Sequence, residues 1–370
     1  MPDLGLIRER ARARVAKEFG AAKAPGTEGL KSLGFIPSGI STQSLQLDLA
    51  IGRPGIPVGR MTQVIGRDGH GKSTLAMHIA AEAISMGACV AIQDAEGAYE
   101  AWRLRKLGAD PEGFEPLVPE CLEDMHGMTE AFIQETRKAD PDIPILVILD
   151  TPDGVHAKAA MDAEVGVSLP AIDSRCNGVM VPRIANFAAR YKAALVVVQQ
   201  INPVFASGGW KPAYAEKEYD TKGGESWKFR ASLRMQVKRG KTDEAKKQES
   251  SAINTKVVNL KNKLAAPFRV AEYQLNYEFG IDKYEDLFEG CKKLKVISGG
   301  GGGRYRFKYR KMDESIYRKE FPEIVNQFGG PDKFRRRMLK KAVRMEFIRA
   351  YGIWDEQPPA ESDAEKEAEA

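Results

Sequence analysis

The segment GRDGHGKST, residues 66 to 74, constrains the fold of this 370-residue chain more than any other feature. Gly66, Gly71, Lys72 and Ser73 fit the pattern G-x-x-x-x-G-K-S/T. The apolar run MTQVIG precedes the segment, and a helix is expected from Ser73 to Met86, closed by Gly87. An isolated match can be an ordinary glycine-rich turn, but a strand before it and a helix after it favour a phosphate-binding loop.

Phosphate binding would use the backbone of this loop and the N-terminus of the helix that follows it. The residues expected to surround the phosphates are Gly66, Arg67, Asp68, Gly69, His70, Gly71, Lys72, Ser73 and Thr74. Lys72 is expected to contact the β- and γ-phosphates, and Ser73 is expected to bind Mg²⁺. The sequence therefore predicts ATP and Mg²⁺ as ligands.

Further strand candidates alternate with helix candidates between about residues 30 and 270. They read CVAIQDA, PILVILDT, ALVVVQQI, LRMQVKR, TKVVNLKNKL and VAEYQLNY. The earlier runs are continuously apolar, as in parallel strands that are covered on both faces. This alternation predicts an α/β fold with a mostly parallel sheet. The last three strands are separated by shorter links and are expected to form antiparallel extensions.

Two carboxylates follow apolar strands. Asp150 ends PILVILD, and the carboxyl ends of parallel strands line the ligand crevice of an open α/β sheet. Asp150 is therefore expected to hold Mg²⁺, directly or through water, although it could instead cap the next turn. Glu96, just past VAIQDA, is the candidate that orients or deprotonates the attacking water. Its alternative is an acid at a helix N-terminus.

Composition excludes several other classes. The longest apolar runs are too short to span a bilayer, and no export signal precedes the charged segment RERARARVAKEFG, so a cytoplasmic location is expected. The four cysteines lack CxxC spacing and the four histidines form no ligand pattern, which argues against a disulfide framework or a zinc site. A net charge of only +5 means that affinity for nucleic acid must come from local patches.

Longer segments resemble the bacterial RecA recombinase family. Those nearest the nucleotide motif are IPSGISTQSLQLDLAIGRPGIPVGR, IQDAEGAYEAWRLRKLGAD and VVVQQIN. Those further along are GGESWKFRASLRMQVKR and VVNLKNKLAAPFRVAEYQLNYEFGI, and the last is the most specific because a generic P-loop protein has no reason to carry it. The resemblance covers about residues 5 to 300 and is weak beyond the glycine run SGGGGG.

The resemblance implies a RecA-like P-loop ATPase core with a mostly parallel central sheet, an N-terminal helical polymerisation segment and a small α+β C-terminal domain. The predicted boundaries are 1–35 for the N-terminal helix and polymerisation segment and 36–270 for the core with its DNA-binding loops. They continue with 271–356 for the C-terminal domain and 357–370 for an acidic disordered tail.

Catalytic roles follow from the same resemblance. Glu96 would be the catalytic glutamate, and Gln200 would report the γ-phosphate to the DNA-binding loops. Lys261 and Lys263 would reach the nucleotide of a neighbouring subunit, so that the site would be complete only in a filament. They flank Asn262 and are expected on one face of a strand.

The chain departs from the family near the adenine and in the loops. Arg103 replaces an adenine-stacking tyrosine, so Tyr99 or Trp102 is expected to adapt, and Gln199 replaces an asparagine. The DNA loops are expected near Asp162–Arg175 and Asn202–Lys222, and Pro182 is expected to interrupt the helix after the first. The residues expected to bind DNA are Arg175, Arg183, Phe205, Trp210, Lys211, Lys217, Lys222, Gly223 and Gly224.

Two of these DNA-binding regions keep a plainer alternative. The lysines and aromatic rings of the second loop suit phosphates and bases, but the rings could also pack locally in a solvated insertion. The basic helix KFRRRMLKKAVRMEFIRAYGIW is read as a gateway for duplex DNA, against a merely solvated helix face. Such departures are typical of a divergent, phage-encoded recombinase.

The predicted function is an ATP-dependent DNA recombinase that forms filaments on single-stranded DNA and catalyses homologous pairing and strand exchange. Expected partners are single-stranded DNA, homologous duplex DNA, further copies of the chain and single-strand-binding or mediator proteins, with no membrane. The alternative is a RecA-fold ATPase that assembles as a closed ring and remodels a partner protein. A small-molecule kinase would need a lid and an acceptor pocket, for which the sequence gives no signature.

Overall fold

The computed structural model describes residues 39–97, 99–164, 171–203, 219–240, 252–276 and 278–351, together with residues 13, 14 and 17. Side chains of 202, 203, 219, 220 and 343–351 are not among those described. By compactness the chain divides into two units, Met1–Gly39 and Ile40–Ala370. Almost all of the predicted polymerisation segment, the acidic tail, and Phe205, Trp210, Lys211 and Lys217 lie outside the described residues.

The strands of the described chain are β1 Gly39–Ile40, β2 Ile56–Pro57, β3 Met61–Gly66, β4 Cys89–Asp94, β5 Phe114–Leu117, β6 Ile145–Asp150, β7 Ala193–Pro203, β8 Tyr219–Thr221, β9 Leu233–Arg239, β10 Ala252–Asn262, β11 Val270–Asn276, β12 Gly280–Ile281, β13 Ile297–Gly299, β14 Arg304–Tyr309 and β15 Met312–Tyr317. The helices are α1 Leu45–Ile51, α2 Lys72–Ser85, α3 Ala101–Lys106, α4 Leu122–Ala139, α5 Lys158–Met161, α6 Ile172–Arg190, α7 Ser226–Arg230, α8 Lys283–Lys293, α9 Phe321–Gln327 and α10 Pro331–Tyr351.

The central sheet has the order β12-β11-β10-β9-β3-β7-β6-β4-β5, and β8 pairs with the extended end of β7. The strands from β9 to β5 run parallel, and β10, β11, β12 and β8 are antiparallel additions. The predicted α/β class and mostly parallel sheet are confirmed. The expectation of three antiparallel extensions was wrong for β9, which is parallel to β3.

Helices cover both faces of this sheet, which explains the continuously apolar strands. In β6, Leu146 and Ile148 enter one hydrophobic cluster, whereas Val147 and Leu149 enter the other. All four are fully buried. The alternation of side chains along the strand therefore supplies two cores from a single run.

The helix α2 begins at Lys72, directly after Gly71 with φ +88°, and ends at Ser85. Its predicted end is confirmed, because Gly87 has φ +75° and the N–H of Ala88 reaches back to the Ala83 carbonyl. By contrast, α6 continues through Pro182. The proline removes one intrahelical hydrogen bond without ending the helix, so the predicted interruption was wrong.

The C-terminal part contains a second sheet, β13-β14-β15, packed with α8, α9 and α10 around its own apolar cluster. Phe288, Phe307, Phe321 and Phe334 meet there in edge-on and tilted contacts. The glycine run links the paired strands β13 and β14. This α+β composition agrees with the sequence prediction, whereas the domain boundaries remain predictions. Among the described residues, the helices are too short or too polar to cross a membrane.

Candidate functional site

The carboxyl ends of four neighbouring strands bring the predicted nucleotide residues to one edge of the sheet. Gly66 is opposite Gln200 in the β3–β7 register, and Asp150 is opposite Asp94 in the β6–β4 register. The exposed Glu96 follows two residues after Asp94. This is the edge at which an open α/β sheet binds ligands.

The phosphate-binding loop joins β3 to α2, with Ser73 and Thr74 in the first turn of the helix. Packing requires Gly66, because a Cβ there would lie 2.6 Å from the Val237 carbonyl oxygen, whereas Gly71 is favoured by its φ of +88°. On the outer side, residues 67–69 are exposed. The loop is thus tightly packed at Gly66 and accessible to solvent at residues 67–69.

Lys72 spans this loop from inside. Its ammonium donates a hydrogen bond to the Arg67 carbonyl at 3.0 Å, and the residue is only 8% exposed. Burial lowers the pKa of Lys72, while the carboxylates of Asp150, Asp68 and Glu96 oppose that shift. His70 is held by the Val237 carbonyl at 3.3 Å, and burial lowers its pKa. Lys72 is thus a partly desolvated cation, which favours the binding of an anionic phosphate group.

Asp150 and Ser73 place a carboxylate and a hydroxyl beside Lys72. Burial raises the pKa of Asp150 to about 6, and hydrogen bonds from Ser73 and Tyr99 oppose that rise. In the described part of the chain, no group of three or more His, Cys, Asp and Glu side chains could hold a metal ion. Carboxylate and hydroxyl oxygens suit Mg²⁺, which keeps several waters and phosphate oxygens as its other ligands. The residues present therefore fit the predicted ion.

Tyr99 contacts both carboxylates at the ends of β4 and β6. Its hydroxyl donates to Asp150 Oδ2 at 3.1 Å, and its backbone N–H donates to Asp94 Oδ2 at 2.9 Å. The contact of Tyr99 with adenine stays a prediction. Trp102 is 47% exposed, with Lys106 Nζ 5.1 Å and the Arg103 guanidinium 6.0 Å from its ring centroid. Trp102 is thus the accessible aromatic ring near Arg103.

Two residues that sequence reasoning left without a role, Gln199 and Asp153, lie beneath Gln200. The Gln199 amide donates to Asp153 Oδ1 at 2.9 Å, and the backbone N–H of Gln200 donates to Asp153 Oδ2 at 2.8 Å. Burial raises the pKa of Asp153. A second acid after the strand PILVILD was visible in the sequence, but its partners lie 46 and 47 residues away.

Lys261 has a structural role that its sequence did not indicate. Its ammonium donates to the carbonyls of Lys228 and Phe229, at 2.8 and 3.0 Å, at the C-terminal end of α7. Burial lowers the pKa of Lys261, and the nearby positive charge of Lys263 adds to this. Lys263 lies just past the end of β10 and is exposed. The two lysines are thus neighbours, but only Lys261 caps a helix.

The described DNA-binding candidates flank the return of the second loop. Lys222 is exposed, and the Gly223 carbonyl accepts a hydrogen bond from Asn177 Nδ2 at 3.1 Å. Gly224 lies against α6, since an added Cβ would lie 3.0 Å from Ser174 Oγ. Arg175 is exposed near the start of α6.

Two arginines from the predicted DNA surfaces pair with glutamates. Arg183 forms a bidentate ion pair with Glu130, with both contacts at 2.6 Å. Arg335, from the basic helix, is 2% exposed and donates to Glu82 at 2.6 Å. A buried, paired Arg335 is unavailable to DNA, whereas the gateway role of the helix stays a prediction.

The fold and this site define the chain as a P-loop α/β protein. A family model described as the RecA N-terminal domain matches residues 9–282. Protein RecA of Geobacter sulfurreducens is 29% identical, covering 87% of this chain and 92% of its own length. Protein RecA of Desulfotalea psychrophila is 30% identical, covering 88% and 91%. Protein RecA of Rhodopirellula baltica is 32% identical, covering 73% and 68%.

The chain belongs to the RecA family, as its motifs predicted. A crystal structure of the RadB recombinase gives a TM-score of 0.46 at 19% identity, covering 65% of this chain and 98% of that chain. The family assignment rests on the family model and the sequence relatives alone.

Proposed function

We propose that this chain is an ATP-dependent DNA recombinase of the cytoplasm. It forms filaments on single-stranded DNA and catalyses homologous pairing and strand exchange during recombination and repair. Its partners are single-stranded DNA, homologous duplex DNA and further copies of itself, and single-strand-binding or mediator proteins would assist loading. Family membership and the similarity to proteins named RecA support this proposal.

Each residue of the nucleotide site has a distinct task in this proposal. The loop backbone and Lys72 bind the phosphates of ATP. Ser73 and Asp150 would hold Mg²⁺, which when bound neutralises charge on the β- and γ-phosphates. Glu96 orients the attacking water and accepts its proton, and Gln200 senses the γ-phosphate. Trp102 is the ring proposed to contact adenine.

The observation that carries the proposal is the junction between the nucleotide site and the second loop. β7 passes Gly66 at Gln200, continues to Pro203, and pairs with β8 on the return, with Ile201 opposite Thr221. Binding of DNA to the second loop would therefore displace β7, the strand that borders the phosphates. Such a connection suits an ATPase that responds to nucleic acid.

Duplex DNA would meet the outer face of α10. Lys333, Arg336 and Lys340 are exposed at helical spacing along that face, while Phe334 and Met338 are buried on the other. Cations at this spacing supply sequence-independent contacts to phosphate. The exposed lysines and Arg336, not Arg335, are the residues proposed for this contact.

Electron microscopy and ATPase assays test the proposal together. With single-stranded DNA and a non-hydrolysable ATP analogue we expect helical filaments, and with ATP we expect hydrolysis that rises at least tenfold on adding DNA. Lys72→Ala should abolish both. Glu96→Ala should retain ATP-dependent DNA binding but lose hydrolysis. Closed rings without DNA stimulation would favour the alternative, an ATPase that remodels a partner protein.

A further inference from the structure

We propose that Gln199 and Asp153 form a positioning relay between the return of the second loop at Lys222 and the main chain of Gln200 at the nucleotide site. The inference deepens the proposed function, because it concerns how DNA binding and the phosphate site influence each other. Neither side chain is expected to touch ATP or DNA. Both act on residues that do.

The side-chain amide of Gln199 is fully buried and forms hydrogen bonds with three other residues, which it joins at one junction. Its oxygen accepts from Gln63 Nε2 at 2.7 Å, and its nitrogen donates to Asp153 Oδ1 at 2.9 Å and to the Lys222 carbonyl at 3.2 Å. A carboxylate and a carbonyl only accept, so both amide hydrogens of Gln199 are engaged and its orientation is fixed. One side chain therefore ties β3, the turn after β6, and the segment that returns from the second loop.

Asp153 connects this junction to Gln200, at the edge of the sheet where the predicted nucleotide residues lie. Its second oxygen accepts the backbone N–H of Gln200 at 2.8 Å, and its own backbone N–H donates to Thr151 Oγ1 at 3.3 Å. Thr151 directly follows Asp150. A displacement of the Lys222 carbonyl would thus reach the backbone of Gln200 and the turn that follows Asp150 through two side chains.

The chemistry of this junction is specific to glutamine and aspartate. Asparagine at position 199 is shorter by one methylene, about 1.5 Å, and could not reach all three partners from the same backbone position. Asparagine at position 153 would lose the charged acceptor, and its amide could face another N–H. Hydrogen bonds to charged groups are the stronger class, so Asp153 is the firmest link.

A static brace is the competing explanation, and it predicts different behaviour. A brace that only stabilises the sheet edge should alter stability and hydrolysis alike, with or without DNA. A relay should leave the DNA-free rate and the KM for ATP nearly unchanged and lower the stimulation by DNA. Because Gln199 and Asp153 share one path, their double variant should be little worse than either single variant.

The chain offers a matched control in Gln93. This residue is also fully buried on a central strand, and its amide donates to the Met125 carbonyl at 3.0 Å and to Thr129 Oγ1 at 2.9 Å. Gln93→Asn therefore makes the same change in another buried network, whose partners among the described residues, Met125 and Thr129, lie on α4 and not on the return of the second loop.

The experiment compares Gln199→Asn, Asp153→Asn, the double variant and Gln93→Asn with the parent. For the relay variants we expect DNA-free hydrolysis and KM within about twofold of the parent, and at least a tenfold loss of stimulation by single-stranded DNA. Gln93→Asn should keep its stimulation. Unchanged stimulation in Gln199→Asn, or an equal loss in Gln93→Asn, would overturn the relay.

Hydrogen exchange separates failure of the relay from failure of the proposed function, because it needs neither DNA nor hydrolysis. A non-hydrolysable ATP analogue should slow exchange at residues 66–74 in every variant. It should alter exchange at residues 219–224 in the parent and in Gln93→Asn, but not in Gln199→Asn. No change at 219–224 in the parent would refute the relay, even if the protein proves to be a recombinase. A change there in a parent whose hydrolysis ignores DNA would support the relay and refute the proposed function.

Discussion

The phenol of Tyr99 lies against the carboxylate that is expected to hold magnesium, and this single contact sets the first test. Tyr99→Phe removes one donor to Asp150 and leaves the ring in place. A bond to a charged acceptor contributes about 1.5–3 kcal/mol, and losing it frees the carboxylate to turn away from Ser73. We expect the Mg²⁺ concentration needed for half-maximal nucleotide binding to rise roughly tenfold.

Fluorescent-nucleotide titrations at several Mg²⁺ concentrations would measure this shift. Tyr284→Phe is the matched control, because Tyr284 donates to Asn326 on an exposed surface far along the chain from the site. A Mg²⁺ dependence that is equal in Tyr99→Phe and the parent would show that the contact does not position Asp150.

The buried His78 should make the free energy of unfolding depend on pH in the acid range. It is fully buried in α2, with Nδ1 2.8 Å from Gln43 Oε1 and Nε2 accepting the Ile281 N–H at 3.0 Å, and burial lowers its pKa to about 3. The unfolded chain takes up this proton near pH 6.5, whereas the folded chain does not. The free energy of unfolding should therefore fall as the pH drops from about 6.5 towards 3.

Urea unfolding of the parent and of His78→Gln between pH 7 and 4.5 would isolate that contribution. The parent should lose roughly 2–3 kcal/mol more than the variant over this range. Burial raises the pKa of Asp48 to about 6 and that of Asp286 to about 7, and these acids act in the opposite direction. Since both proteins contain them, they cancel in the comparison, and parallel pH profiles would contradict the assignment to His78.

At the scale of elements, α10 is fastened to α2 by an ion pair. Arg335 Nη2 lies 2.6 Å from Glu82 Oε2, and the two side chains are 2% and 4% exposed. The positive charge of Arg335 also opposes the rise that burial gives to the pKa of Asp48 in α1. Arg335→Met leaves a buried carboxylate without its nearer cationic partner, which costs about 3–5 kcal/mol.

The urea unfolding midpoints of variants would show whether the charge or the shape of the Arg335–Glu82 pair stabilises the protein. Combining Arg335→Met with Glu82→Leu should recover most of the loss, because well-packed apolar replacements of a buried pair are often neutral. Arg336→Met is the control: its side chain is 54% exposed and 3.5 Å from Glu82 Oε1, so it should cost less than about 1 kcal/mol. A double variant as unstable as Arg335→Met alone would rule out an unpaired Glu82 as the cause.

The elements themselves were largely predictable, since local pattern determines them. MTQVIG and LRMQVKR match β3 and β9 residue for residue, and the glycine after α2 marked its end. The direction of β9 was not predictable, because parallel or antiparallel pairing depends on which strand becomes its neighbour. The short edge strand β5 was missed, since FEPL carries too little apolar pattern to be distinguished from a loop.

The residues of the site also divide into those that the sequence predicts and those that it does not. The glycines, Lys72 and Asp150 follow from motif and strand position. Gln199 and Tyr99 do not, because their roles depend on partners at Asp153 and Asp150, far away along the chain. Sequence shows which residues could donate or accept a hydrogen bond, whereas the register of the sheet decides which of them meet.

At the scale of the whole molecule, the proposed filament predicts an active site shared between protomers. Burial, and then the neighbouring charges of Lys263, Arg234 and Lys228, lower the pKa of Lys261. Such a cluster is unfavourable in isolation and would be relieved by phosphate from an adjoining subunit. Lys263 is the sharper probe, because Lys261→Ala would also remove the cap on α7.

Lys263→Ala and Glu96→Ala should each lose most DNA-stimulated hydrolysis, and Lys263→Ala should keep the parent's thermal stability. Mixed in equal amounts, they would create intact sites at about a quarter of random head-to-tail interfaces, so recovery up to that fraction of the parent rate is expected. Lys263→Ala mixed with Lys261→Ala is the control, since both changes lie on the same side and no intact site can form. Energy transfer between labelled variants would verify mixing. Mixed filaments in which Lys263→Ala and Glu96→Ala show no recovery would place the whole site within one protomer.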